Sequence, residues 1–140
     1  MKLVKLLPWA VLALLAIVVF TVSFWLLYPY RTMEFKDPLF RVLNENKTVE
    51  RGGRLKYEVN ACKYTDIVPT LKKFFVDGVI YEVTESYGAV DKGCGKTIVD
   101  VYVPRAIPVG NYKMKFIAKY QVNPIREIVF VNYSEAFVVK

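Results

Sequence analysis

The stretch GNYKMKFIAKYQV, residues 110–122, decides the fold class because its side chains alternate in character with a period of two. Apolar and aromatic side chains stand at every second position: Tyr112, Met114, Phe116, Ala118, Tyr120 and Val122. The opposite face carries Lys113, Lys115, Lys119 and Gln121. Successive side chains of a strand point to opposite faces, so this pattern predicts a strand with one face in a core and the other in water.

Shorter segments on both sides of this strand are also rich in apolar residues with the same period. The predicted strands are 39–43, 54–61, 71–76, 79–84, 97–103, 112–122, 125–131 and 136–139. Asp77-Gly78 lies between two of them and predicts a hairpin with a type I′ turn, which needs positive φ at both central residues. No segment beyond residue 30 keeps a 3.6-residue period. The sequence therefore predicts an all-β, antiparallel sandwich of about seven or eight strands over 39–140.

The N-terminal segment differs, because no charged side chain occurs from Leu6 to Tyr30. About 20 apolar helical residues cross the hydrocarbon core of a bilayer, and Trp9 and Trp25 stand near the two ends, where aromatic rings prefer the headgroup level. A cleaved signal peptide is the alternative, but it has a shorter apolar region that ends at small residues. We predict a cytoplasmic stub over 1–5, a transmembrane signal-anchor helix over 6–30 and a tether over 31–38.

Composition excludes several kinds of chemistry. The 140 residues contain no histidine, which excludes histidine acid–base catalysis and most zinc and copper sites. Gly93-Cys94-Gly95-Lys96-Thr97 resembles the end of a phosphate-binding loop, but Val90 replaces the required earlier glycine and a strand follows instead of a helix. The carboxylates lie among lysines, as on solvated faces. We predict no catalytic residue, no cofactor, no metal site and no enzymatic activity.

The two cysteines indicate on which side of the membrane the C-terminal domain lies. Cys62 ends the predicted second strand, and Cys94 falls 32 residues later in a polar loop over 88–95. Two cysteines in a domain outside the cytoplasm most often pair, with two separate thiols as the alternative. Lysine and arginine beside the helix give only a small orientation bias. Cysteine usage and the β-rich remainder favour a cytoplasmic N-terminus and a periplasmic or extracellular C-terminal domain.

The segment Pro108-Val109-Gly110-Asn111-Tyr112 resembles the entry to strand F of immunoglobulin-like and fibronectin-like domains. In these domains the tyrosine hydroxyl bonds back to the preceding loop, an arrangement called the tyrosine corner. The resemblance implies that 99–103 is strand E and 54–61 is strand B. Antibody-type domains have a cysteine where this chain has Met114. The expectation is a generic immunoglobulin-like sandwich on a single anchor, similar to small bacteriophage or bacterial envelope proteins.

The excess of basic residues beyond the helix indicates a candidate binding surface. Without Lys2 and Lys5 the chain has 18 basic and 13 acidic residues, so the net charge beyond the helix is +5. Lys113, Lys115 and Lys119 share one strand face and could contact anionic lipid, an anionic envelope polymer or an acidic protein. The alternative is an ordinary solvated sheet face. The aromatic side chains of this strand point inward, which argues against nucleic-acid binding.

These observations predict a membrane-anchored, non-enzymatic, extracytoplasmic binding or structural module. It contacts the bilayer through residues 6–30 and a protein or anionic envelope polymer through its domain, with residues 85–95 as the candidate functional loop. One alternative is a small phage or envelope membrane regulator, of lysis or of superinfection exclusion, that acts partly through its helix. Another is an accessory subunit of a larger membrane complex.

Overall fold

The protein is mostly β-structure after one N-terminal helix, and strands make up 55% of the residues that the structure describes. The computed structural model describes residues 2–83, 86–87 and 90–140. The helix α1 is Lys2–Leu27, and a short 3₁₀ turn is Glu45–Lys47. The strands in the described residues are β1 Met33–Val42, β2 Thr48–Val49, β3 Arg54–Lys63, β4 Thr70–Asp77, β5 Val79–Glu82, β6 Ser86–Tyr87, β7 Gly93–Tyr102, β8 Gly110–Asn123 and β9 Arg126–Val139.

Helix α1 is long and apolar enough to cross a membrane. Its stretch Pro8–Leu27 has 20 residues and a mean hydropathy of 2.7. At about 1.5 Å per residue this stretch rises about 30 Å, the thickness of a hydrocarbon core. The helix ends at Leu27 and not at the predicted Tyr30, because Pro29 disfavours the helical conformation at the residue before it.

The strands form two sheets, in the orders β1-β3-β7-β6 and β2-β9-β8-β4-β5. The second sheet curls into half a barrel. Strand β2 runs parallel to β9, with Thr48 opposite Val138, so the prediction of a purely antiparallel fold is wrong at this edge. The physical reason is that the chain crosses from β1 to the second sheet through the 3₁₀ turn without reversing direction.

Strand β1 begins at Met33, inside the segment that we predicted as a tether over 31–38. Phe35 lies opposite Ala61 and Phe40 opposite Val59, so the register shifts between them. This bulge breaks the period-two pattern at Lys36-Asp37-Pro38, which is why the first half of the strand could not be seen in the sequence.

The structure differs from two further local predictions, the turn type of the 77–78 hairpin and the division of residues 125–139 into two strands. The hairpin between β4 and β5 is present, but φ is positive only at Gly78, at 68°, while Asp77 stays in its strand opposite Val79. The predicted type I′ turn is therefore wrong. The segments 125–131 and 136–139 form one strand, β9, except for Ile125, which lies in the turn before it, because a bulge keeps the pairing continuous. At that bulge the Ser134 hydroxyl accepts a hydrogen bond from the Met114 amide at 2.9 Å.

The core lies between the two sheets. The largest fully buried side chains come from both of them and include Leu55, Tyr57, Val101, Phe75, Met114, Tyr120 and Phe137. The inward face predicted for β8 is confirmed at five positions, since Tyr112, Met114, Phe116, Ala118 and Tyr120 are all buried. Strand β8 therefore presents its lysines to the outside of the five-stranded sheet.

Candidate functional site

The three lysines predicted as a basic face lie together on the outside of the five-stranded sheet. Lys113 is exposed, and Lys115 and Lys119 are half-buried. They sit on β8, which has β4 on one side and β9 on the other. Their neighbours on these two strands therefore decide what the face can bind.

Those neighbours are mainly apolar. Tyr133 lies opposite Lys115 and Val129 opposite Lys119 on β9, and Phe74 lies opposite Lys115 on β4. Val129, Val131 and Tyr133 are 47%, 48% and 51% exposed. We call this surface the lysine–apolar face, and it consists of Lys72, Phe74, Val76, Lys113, Lys115, Ile117, Lys119, Val129, Val131 and Tyr133.

The lysines of the lysine–apolar face make only weak contacts. The Lys119 ammonium lies 3.2 Å from a Glu127 carboxylate oxygen, and both side chains are about 40% exposed, at 42% and 39%. The Lys115 ammonium stands 6.0 Å from the centroid of the Tyr133 ring. Exposed pairs of this kind contribute about 0–1 kcal/mol, so a partner's carboxylates can replace them at little cost.

Lys73 does not join this face. Lys72 and Lys73 are neighbours on β4, the strand beside β8, but adjacent strand residues point to opposite sides. Lys72 is exposed on the face, whereas Lys73 is only 5% exposed and points between the sheets. Its ammonium stands 5.7 Å from the centroid of the Tyr57 ring. Burial lowers the pKa of Lys73 to about 8.

A cleft opens between the sheets beside Lys73. Its wider part has a volume of about 210 Å³ and is lined mainly by Met33, Val68, Leu71, Phe116 and Tyr120, with Lys63 and Asp91 among its charged groups. A narrower part of about 30 Å³ leads to Lys73 and Tyr57. Within the described residues no three histidine, cysteine, aspartate or glutamate side chains come together as a metal site. The cleft is an apolar recess with one buried ammonium.

Cys62 and Cys94 face each other across β3 and β7 with their sulfur atoms 2.06 Å apart, the distance of a disulfide. Cys94 lies in β7 rather than in the predicted loop over 88–95, because β7 begins at Gly93. Both cysteines have the strand parity of Lys56 and Glu58, so the pair lies on the outside of the four-stranded sheet. Of the candidate loop 85–95, residues 85, 88 and 89 lie outside the described residues.

Tyr112 makes the contact expected of a tyrosine corner. Its hydroxyl donates a hydrogen bond to the carbonyl of Pro108 at 3.0 Å. The side chain is 3% exposed, and burial raises the pKa of the hydroxyl. The bond ties the β7–β8 connection to the start of β8, and thereby fixes the strand that carries the lysines.

The turn between β8 and β9 contacts the end of the helix, which could not be foreseen from the sequence. The Asn123 side-chain amide donates to the Trp25 carbonyl at 2.9 Å. The Arg126 guanidinium donates to the carbonyls of Leu26 and Tyr28 at 2.8 and 2.7 Å. The last carbonyls of a helix have no partner within it, so these two side chains cap α1 from the domain.

Comparison with known proteins finds no family model that matches this chain and no curated protein that matches it in sequence.

Proposed function

We propose that the protein is a membrane-anchored, non-enzymatic binding module that presents an immunoglobulin-like domain outside the cytoplasm. The observation that carries this proposal is the lysine–apolar face, where exposed Val129, Val131 and Tyr133 lie beside Lys115 and Lys119. Apolar side chains supply the burial that drives association, and the lysines select an acidic partner. The partner that fits is a protein surface with apolar side chains among carboxylates.

The immunoglobulin-like assignment is supported by the strand order. The four-stranded order β1-β3-β7-β6 corresponds to A-B-E-D, and β9-β8-β4-β5 corresponds to G-F-C-C′ in such domains. Tyr112 then opens strand F and bonds back to Pro108, as a tyrosine corner does. The chain departs from antibody domains in its cysteines, which join β3 to β7 within one sheet instead of joining the two sheets.

Site-specific photo-crosslinking in the cells that make the protein tests the binding face. A photoreactive amino acid at Val131, on the lysine–apolar face, is expected to form an adduct with a partner protein. The matched control is Ile98, which is 59% exposed on the outside of the other sheet and is expected to form none. Replacing Lys113 and Lys115 by glutamate should abolish the Val131 adduct, whereas replacing Lys56 and Lys96 on the other sheet should leave it unchanged.

Two outcomes would contradict the binding module. Equal adducts at Val131 and Ile98 would mean that the lysine–apolar face has no special role. Adducts at an exposed helix position such as Val18, with none at Val131, would favour a regulator that acts through its helix.

Thiol labelling of intact cells tests the proposed compartment. A membrane-impermeant maleimide is expected to label the protein only after reduction, and at Cys94 first, because Cys94 is exposed and Cys62 is 1% exposed. Labelling that requires cell lysis, with or without reduction, would place the domain in the cytoplasm and contradict the proposal. A variant with Cys94 replaced by serine serves as the control for the site of labelling.

A further inference from the structure

The β8–β9 turn contacts the C-terminal end of α1. The carbonyls of Trp25 and Leu26, in the last turn of α1, and that of Tyr28, just beyond it, accept hydrogen bonds from Asn123 and Arg126. If Pro8–Leu27 spans the hydrocarbon core, its 20 residues fill that core, so these carbonyls stand at its boundary. Side chains bonded directly to them must lie at the same level.

The side chains at this level suit the interface between lipid and water. Ile125, at the tip of the turn, is 49% exposed, and Tyr28 is 46% exposed. The Arg126 guanidinium lies 5.9 Å from the centroid of the Tyr30 ring. Aromatic rings and arginine both favour the headgroup region, where the apolar part faces lipid and the polar part faces water.

We propose that the β8–β9 turn is a membrane-contacting element. Ile125 inserts into the interfacial layer of the bilayer that α1 spans, and Asn123 and Arg126 hold it there by capping the helix. The partner of this surface is the lipid of the protein's own membrane. The inference rests on the membrane anchor of the proposed function.

This contact gives the domain a fixed attachment to the bilayer in place of a flexible tether. Strand β1 begins at Met33, so only five residues, 28–32, separate the helix from the sheet. Lys119, the nearest lysine of the lysine–apolar face, is four residues from Asn123 along β8, or about 13 Å in an extended strand. The face therefore begins close to the headgroups and extends away from them.

Fluorescence quenching in proteoliposomes of phosphatidylcholine tests the insertion. An environment-sensitive NBD fluorophore is attached to a cysteine that replaces Ile125 in the full chain. The matched control is Val109→Cys, because Val109 also follows a proline and is 61% exposed, but precedes the far end of β8. Lipid with a nitroxide near the headgroup is expected to quench the Ile125→Cys emission, because interfacial side chains lie at the headgroup and acyl boundary, and to leave the Val109→Cys emission unchanged.

Native tryptophan fluorescence separates the two proposals. Trp9 and Trp25 are both in α1, so their quenching by the same lipid reports that the helix is in the bilayer. Quenched tryptophans with equal, low quenching at positions 125 and 109 would overturn the insertion and leave the anchor intact. Tryptophans that are not quenched would overturn the anchor itself. Replacing Asn123 and Arg126 by alanine should bring the position 125 signal towards that of position 109.

Discussion

Replacement of Cys62 and Cys94 together by alanine is expected to lower the free energy of unfolding of the domain by about 3–4 kcal/mol. A crosslink over 32 residues restricts the unfolded chain, and this restriction is lost in the variant. Alanine also removes the sulfur of Cys62, which is 1% exposed and packed in the structure. Denaturant unfolding of the full chain in detergent micelles, followed by far-ultraviolet circular dichroism, measures the change.

Chemical reduction of the Cys62–Cys94 disulfide is the control for this loss of stability. A reducing agent should destabilise the natural protein by a similar amount and should not affect the double variant. If reduction leaves the natural protein unchanged, the crosslink does not stabilise the fold in solution. For a domain whose total stability is about 5–15 kcal/mol, the expected loss is a large share.

Side-chain alternation predicted the strands wherever one face is buried and the other is polar. Residues 112–120 show this best, because each buried apolar side chain alternates with an outward one along β8. The same rule could have placed Lys73 correctly. Lys73 has the same parity as Phe75, which is completely buried, so the two adjacent lysines of β4 cannot share a face.

The apolar part of the binding face was harder to predict. Along β9 the residues Ile128, Val129, Phe130 and Val131 are apolar on both faces. Alternation cannot then tell which side is outward, and only the pairing of β9 with β8 settles it. The cap on the helix could not be predicted at all, because Asn123 lies 98 residues from Trp25 in the sequence. Contacts of that kind depend on how the finished domain meets the helix.

Replacement of Lys73 by methionine is expected to stabilise the domain by about 2 kcal/mol at neutral pH. Burial lowers the pKa of Lys73 from 10.5 to about 8, so holding the ammonium between the sheets costs about 3 kcal/mol. The contact of the Lys73 ammonium with the Tyr57 ring stabilises the folded protein by about 1 kcal/mol, and the variant loses this contribution. Methionine has a similar length, carries no charge and adapts to irregular apolar space.

The free energy of unfolding of the natural protein is expected to rise with pH between about pH 8 and 10.5. Below about pH 8 the lysine is protonated in both the folded and the unfolded chain, so the full cost of burial applies. Between about pH 8 and 10.5 the unfolded chain holds the proton and the folded chain does not, so the stability of the natural protein rises with pH. Burial also raises the pKa of Tyr57, so that ring stays neutral over this range. The difference between the natural protein and the methionine variant should therefore shrink as the pH rises from 8 to 10.

Lys72 provides the matched control, because it is the adjacent lysine and lies exposed on the outside of the same strand. Lys72→Met should change the free energy of unfolding by no more than about 0.5 kcal/mol at any of these pH values, as is usual for surface substitutions. A loss of stability in Lys73→Met at neutral pH would show that the buried ammonium is held by a favourable partner in the folded protein. A gain that is the same at pH 7 and pH 10 would show that the pKa of Lys73 is not lowered in the folded protein, because the difference depends on pH only when the pKa differs between the folded and the unfolded chain.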